Sequence, residues 1–151
     1  DKSLLTKLAD FIAPDWQAAQ RQSMVEDVSR LLGDADMAWI WRSKGYNEAS
    51  IIGPISVEGE TKWMSGQIDR LVMEGNQIVI LDYKTSANLP KNSAETPLSY
   101  VLQLKAYKAL LAAKHPDKTI RCALLWTHAP RLDWLDDVVD SVSWEKMRQA
   151  A

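Results

Sequence analysis

Cysteine is almost absent from this 151-residue chain: Cys122 stands alone, which excludes an internal disulfide and any cysteine-cluster zinc site. No apolar run reaches the roughly 18 residues of a membrane-spanning helix. No basic stretch leads into an apolar signal core at the N-terminus either, so a cytoplasmic location is expected. A Gly-x-x-x-x-Gly-Lys-Ser/Thr phosphate loop is missing. With 18 basic and 20 acidic residues, a formal charge of −2 and a pI near 5.7, no global basic field draws the chain to a polyanion. Any such binding rests on local groups.

What is present suits one soluble domain. A hydrophobic share of 46% beside 25% charged residues is ordinary for a globular chain of this length, with room for a single core. Seven tryptophans against one phenylalanine is unusual. Trp39, Trp41, Trp63 and Trp126 sit among apolar neighbours and read as core. Trp16, Trp134 and Trp144 are candidates for exposure, where an indole stacks on an unpaired base or docks on another protein surface.

Apolar spacing predicts a helix over Ser3 to Ala13, closed by Pro14, and a second from about Asp15 to Leu32 with Val25, Val28, Leu31 and Leu32 inward. A short helical piece spans Met37 to Trp41. The sheet begins near Tyr46, runs to Val57, turns at Glu58-Gly59, and continues through Lys62 to Met64 into Gly66–Met73 and Gln77–Thr85. A polar loop from Ser86 to Pro97 leads to a helix over Leu98 to Lys114, closed by His115-Pro116-Asp117. Thr119 to Thr127 reads as a buried strand, and a weakly patterned tail from Trp134 ends in a helix over Ser143 to Ala150. The fold class is α/β, with a mixed central sheet flanked by helices.

The hairpin around Gly75-Asn76 carries the chemistry. A two-residue Gly-Asn loop between apolar runs signals a tight turn. It pairs Glu74 with Gln77 and Met73 with Ile78, and counting back brings Asp69 opposite Asp82. Directly opposed residues have Cβ atoms about 4.5–5.5 Å apart, and like charges there destabilise a sheet. Lys84 points the same way as Asp82. One face then holds Leu71, Met73, Ile78 and Ile80 with the two aspartates and Lys84. The other holds Ile68, Val72, Val79, Leu81 and Tyr83, with Arg70 as its one charge.

A strand pair apolar on both faces belongs inside a layered fold, where unpaired carboxylates are costly. A hard divalent cation such as Mg²⁺ or Mn²⁺ answers that need with oxygen ligands and retained waters. It would polarise a phosphoryl oxygen and lower the pKa of a bound water, with Lys84 orienting the water or steadying developing charge. The plainer account is a solvated sheet edge at which Lys84 bridges Asp69 and Asp82. A bulge or a three-residue loop would put the two carboxylates on opposite faces.

Gly66, Ile68 and Asp69, then Asp82, Tyr83 and Lys84, then Gln103 and Tyr107 form an ordered series. It resembles the metal-dependent PD-(D/E)xK nucleases, most closely the RecB/AddA branch found in double-strand-break repair helicase-nucleases. The resemblance implies a restriction-endonuclease-like core and a DNA exonuclease using Mg²⁺, for which Mn²⁺ substitutes. It implies metal ligation by Asp69, Asp82, the Tyr83 carbonyl and an early acid, Glu48, with Lys84 catalytic and Gln103 and Tyr107 contacting DNA. It also implies a longer parent, with a helicase motor in the same chain and a second helicase-nuclease subunit as partners. Some relatives hold a four-cysteine iron-sulfur cluster, which this chain cannot build alone.

One departure stands out. RecB-like nucleases usually place a histidine ligand in the first helix, and the matching stretch here, Leu4-Leu5-Thr6-Lys7-Leu8, has Thr6. His115 reads as a helix-end residue and His128 as a loop residue. The alternative function is therefore a catalytically weakened nuclease fold serving DNA binding or partner docking. Tyr100, Gln103 and Tyr107 share one helix face, which ordinary packing also explains for the tyrosines. Lys105 and Lys108 on that helix read as a solvated face or as phosphate contacts.

Overall fold

The computed structural model describes residues 1–148. Helices α1 (Lys2–Ile12) and α2 (Ala18–Gly33) come first, followed by a 3₁₀ turn at Ala35–Met37 and the short α3 (Ala38–Arg42). Strands β1 (Gly45–Val57), β2 (Glu60–Glu74) and β3 (Gln77–Lys84) are consecutive. Helix α4 (Leu98–Lys114) then crosses to β4 (Thr119–Trp126), and β5 (Arg131–Trp134) and α5 (Asp136–Ser141) complete the order before a 3₁₀ turn at Trp144–Arg148. Helix α2 starts later than its apolar spacing suggests because Gln20 Oε1 accepts the Gln17 N–H at 2.9 Å, capping the helix there.

The five strands lie in the order β1-β2-β3-β4-β5, and only the β3–β4 pair is parallel. This is the expected mixed sheet with flanking helices. Its two faces bury separate cores. One packs Ile51, Ile55, Leu71, Ile78 and Ile80 beneath Leu104 and Leu110 of α4; the other packs Val72, Val79, Leu81 and Leu125 beneath Leu31, Met37 and Ile40. Each fully buried Leu or Ile contributes about 2 kcal/mol.

The central hairpin has the expected register, from Glu74↔Gln77 back to Arg70↔Leu81. Gly75 has φ 54, a conformation glycine reaches without cost and one that suits the first central position of a type II′ turn. Beyond Arg70 the pattern changes. The β1–β2 ladder runs from Val57↔Glu60 to Ala49↔Ile68, omits Glu48 and Asp69, and resumes at Asn47↔Arg70. Glu48 sits at φ 52, off the extended backbone. The pleat therefore resets, and Ile68, expected on the face opposite Leu71, packs on the same side.

Other expectations need correction. Trp63 is 72% exposed rather than core, because it lies on a part of β2 that extends past β3. Strand β5 and helix α5 have no sustained periodicity and are fixed by tertiary bonds. Asp136 Oδ1 accepts the Cys122 N–H at 2.8 Å, and the Leu135 N–H donates to the Cys122 carbonyl at 2.9 Å. The helix expected over Ser143 to Ala150 is a 3₁₀ turn at Trp144–Arg148, and the last of those residues lie outside the described ones. Lys105 and Lys108 are tied to α5, to the Val139 carbonyl at 3.1 Å and to Asp140 at 2.6 Å. They present no free phosphate-binding face.

Candidate metal and substrate site

Both ladders of β2 are interrupted at Asp69. Toward β1 the pairing skips Glu48, and toward β3 it stops at Arg70↔Leu81. A carboxylate oxygen of Asp69 takes over, accepting the Tyr83 N–H at 2.7 Å. The N–H and C=O of one strand residue point to the same side, so the Tyr83 carbonyl is directed into the same opening. Here β2 and β3 fork.

Asp82 lies on the α4 face of this fork and is only 4% exposed. Its partner is Lys84, whose Nζ lies 2.5 Å from Oδ2. Lys84 is thus the close charged and hydrogen-bonding partner of the buried carboxylate. Burial pushes the Asp82 carboxyl above its ordinary range, Lys84 opposes the rise, and Asp69 adds to it. Nζ of Lys84 is also 4.0 Å from the centroid of the Tyr100 ring, a cation–π contact that fixes the ammonium against α4. Tyr100 is the partner that sequence reasoning left as packing. Its position seven residues before Tyr107 on one helix face was the available signal.

Gln103 and Tyr107 are brought to β2 rather than directly to Asp82. Gln103 Nε2 donates to the Tyr107 hydroxyl at 3.2 Å, and that hydroxyl donates to the Gln67 carbonyl at 3.0 Å. Gly66 makes this possible. A Cβ there would lie 2.5 Å from Tyr107 Cε1, so only glycine admits the ring. The pair lines a groove of about 250 Å³ with Met64, Ser65 and Leu102. Glu48 is exposed at the head of β1, across the break from Asp69. Its carboxylate, with that of Asp69, helps burial raise the Tyr83 hydroxyl to about 12, against the Arg70 guanidinium.

Among the described residues no three His, Cys, Asp or Glu side chains converge as a metal cage. Glu48 does not form one with Asp69 and Asp82. Thr6 is exposed on α1, which packs chiefly on α2, and its hydroxyl donates to the Lys2 carbonyl at 3.0 Å. His115 caps the end of α4, and His128 Nδ1 lies 3.1 Å from Asp27. No imidazole is part of the fork.

The sequence pattern of the PD-(D/E)XK nuclease superfamily matches residues 2–150. The chain belongs to that superfamily. No curated protein matches it. Among solved structures, the crystal structure of SSO0001 is similar at 13% identity and a TM-score of 0.46, over 89% of this chain; the chain spans 59% of that protein's length. The PD-(D/E)XK nucleases generally use a divalent metal such as Mg²⁺. The fork fits such an ion in its donor chemistry: the buried Asp82 carboxylate and the Asp69 carboxylate, close enough to raise the Asp82 pKa, both offer hard oxygen ligands.

Proposed function

We propose that this domain is a Mg²⁺-dependent DNA exonuclease, the nuclease module of a RecB/AddA-like recombination and repair enzyme. On this reading it works in the cytoplasm with a helicase motor in the same polypeptide and a second helicase-nuclease subunit. The observation that carries the reading is the buried Asp82 carboxylate, which feels both the Lys84 ammonium and a second carboxylate, Asp69, at the β2–β3 fork. A structural ion pair has no need of a second carboxylate beside it, whereas a divalent-metal site for phosphodiester hydrolysis draws on one.

Asp69, Asp82 and the Tyr83 carbonyl would hold the ion, and Glu48, exposed across the ladder break, would add a contact through water. A bound divalent cation supplies Lewis acidity, a water of lowered pKa and charge to offset the transition state. Lys84 keeps its ammonium between Asp82 and the Tyr100 ring, where it can steady charge on a non-bridging phosphoryl oxygen or orient the attacking water. Asp69 couples the two strands through the Tyr83 N–H, so the carboxylates and carbonyl move as one unit. Gln103 and Tyr107 position the strand along the groove.

Thr6 and the absence of a three-ligand cage among the described residues favour a second reading, a weakened nuclease fold used for DNA binding or docking. One experiment separates the two. End-labelled single-stranded DNA is incubated with Mg²⁺ or Mn²⁺ and the wild type, Asp82→Ala or Lys84→Ala. Cleavage by the wild type that both substitutions abolish supports the nuclease. An inert wild type that binds no metal by calorimetry sinks it in favour of the docking reading.

A further inference from the structure

Trp63 stands apart from most of the other tryptophans. Trp39 stacks on Trp134 at 6.0 Å, Trp41 tilts onto Tyr83, Trp126 bonds Asp133, and Trp144 lies under Lys105. Trp63 is 72% exposed and makes no ring contact among the described residues. It sits opposite Pro54, with Ile52 and Ser65 forming the next pair on that face.

The surroundings select an occupant. Residues 60–68 of β2 pair only with β1, so the two strands form an arm that extends beyond the rest of the sheet. On its outward face the alternating positions, 50 to 56 on β1 and 61 to 67 on β2, carry no Asp or Glu. Nothing there repels a phosphate chain. Around Trp63, Pro54 and Ile52, the residues Thr61, Ser65, Gln67, Ser50 and Ser56 supply hydroxyl and amide groups that can meet base edges and phosphates. The groove with Gln103 and Tyr107 lies on the opposite, α4 face, and reaches this arm at Met64 and Ser65, where β2 has no β3 neighbour for a strand to cross. Six residues along β2, about 20 Å, lead from Trp63 to Asp69.

We infer that this face is a stacking platform, on which Trp63 holds an unpaired base of a nucleic-acid strand leading to the Asp69/Asp82 fork. The destination of the strand rests on the nuclease reading above; the stacking does not. An indole is suited to this role because every base offers a π-face, so binding is tolerant of sequence. The platform would favour single strands over duplex, whose bases are already stacked.

The test is equilibrium binding in EDTA of an oligothymidylate, an abasic oligomer of equal length and a duplex, to wild type, Trp63→Phe and Trp63→Ala. The expected result is tighter binding of oligothymidylate than of the abasic chain, with Trp63 fluorescence quenched. Trp63→Ala should weaken oligothymidylate binding roughly 5- to 150-fold, Trp63→Phe should keep most of it, and thermal midpoints should be unchanged because the side chain is exposed. Equal binding by wild type and Trp63→Ala, or no preference for bases over the abasic chain, overturns the inference. Trp63-dependent dimerisation without base-dependent binding also overturns it and assigns the face to a second copy. Cleavage measured on the same preparations with Mg²⁺ keeps the ideas separate: base stacking without cleavage defeats the nuclease reading alone, and cleavage without Trp63-dependent binding defeats the platform alone.

Discussion

Arg70 and Asp82 are both charged, both nearly inaccessible, and both on the central hairpin, yet their surroundings differ. Arg70 donates to the Ile40 carbonyl at 3.2 and 2.9 Å, to the Ser43 carbonyl at 2.8 Å and to Asn47 at 3.1 Å, stitching α3 to the sheet. Asp82 has the Lys84 ammonium at 2.5 Å and, close by, the Asp69 carboxylate that works against its charge. A buried charge with its bonds complete is a structural fastener. One set beside a second carboxylate is held at an electrostatic cost, the pattern expected where a cation is to bind.

The sharpest way to break this contrast is to remove each charge. Asp82→Ala should lower metal-dependent cleavage by at least about 100-fold while leaving the thermal midpoint nearly unchanged or raised. Arg70→Met should do the reverse, lowering stability in urea titration by about 3 kcal/mol because the Ile40 and Ser43 carbonyls lose their donor. If Asp82→Ala unfolds the domain and Arg70→Met does not, the assignment of fastener and site is inverted.

A smaller effect is expected where the site meets α4. Gly66→Ala forces a methyl against Tyr107 and should cost about 1–3 kcal/mol, with the Gln103–Tyr107–Gln67 bonds disrupted; loss of cleavage with no change in stability would contradict this packing role.

pH gives a further handle. Burial raises the Asp82 carboxyl above its unfolded value of 3.8, so the unfolded state binds fewer protons in the window above 3.8. Stability without metal therefore falls as pH rises through that window and recovers on acidification. Asp82→Asn removes the titration, and the gap in urea midpoint between it and wild type should widen as pH rises. A gap independent of pH would show that the carboxylate is not destabilised by burial. The smallest effect is expected at α1. Thr6→His should change stability by less than about 0.5 kcal/mol and leave calorimetric metal affinity unaltered, because Thr6 is exposed on a helix that packs chiefly on α2.

Much of this was legible in the amino-acid order. Local chemistry specified the Gly75-Asn76 turn, the register of the hairpin, the limits of α4 and the order of Gly66, Asp69, Asp82, Lys84, Gln103 and Tyr107, because turn geometry and side-chain period are properties of neighbouring residues. The reset of the pleat at Glu48 and Asp69 was not legible, since a left-handed glutamate has no local sequence signal. Nor was the exposure of Trp63 among apolar neighbours, which depends on where β3 ends. Strand β5 and helix α5 escaped notice because bonds from Asp136 and Leu135 to Cys122, across the sheet, hold them. The sequence by itself determined which groups the chain carries and in what local geometry. The tertiary structure decided which of those groups are buried and which charges they face, because desolvation is set by what packs on top and not by what lies alongside in the chain.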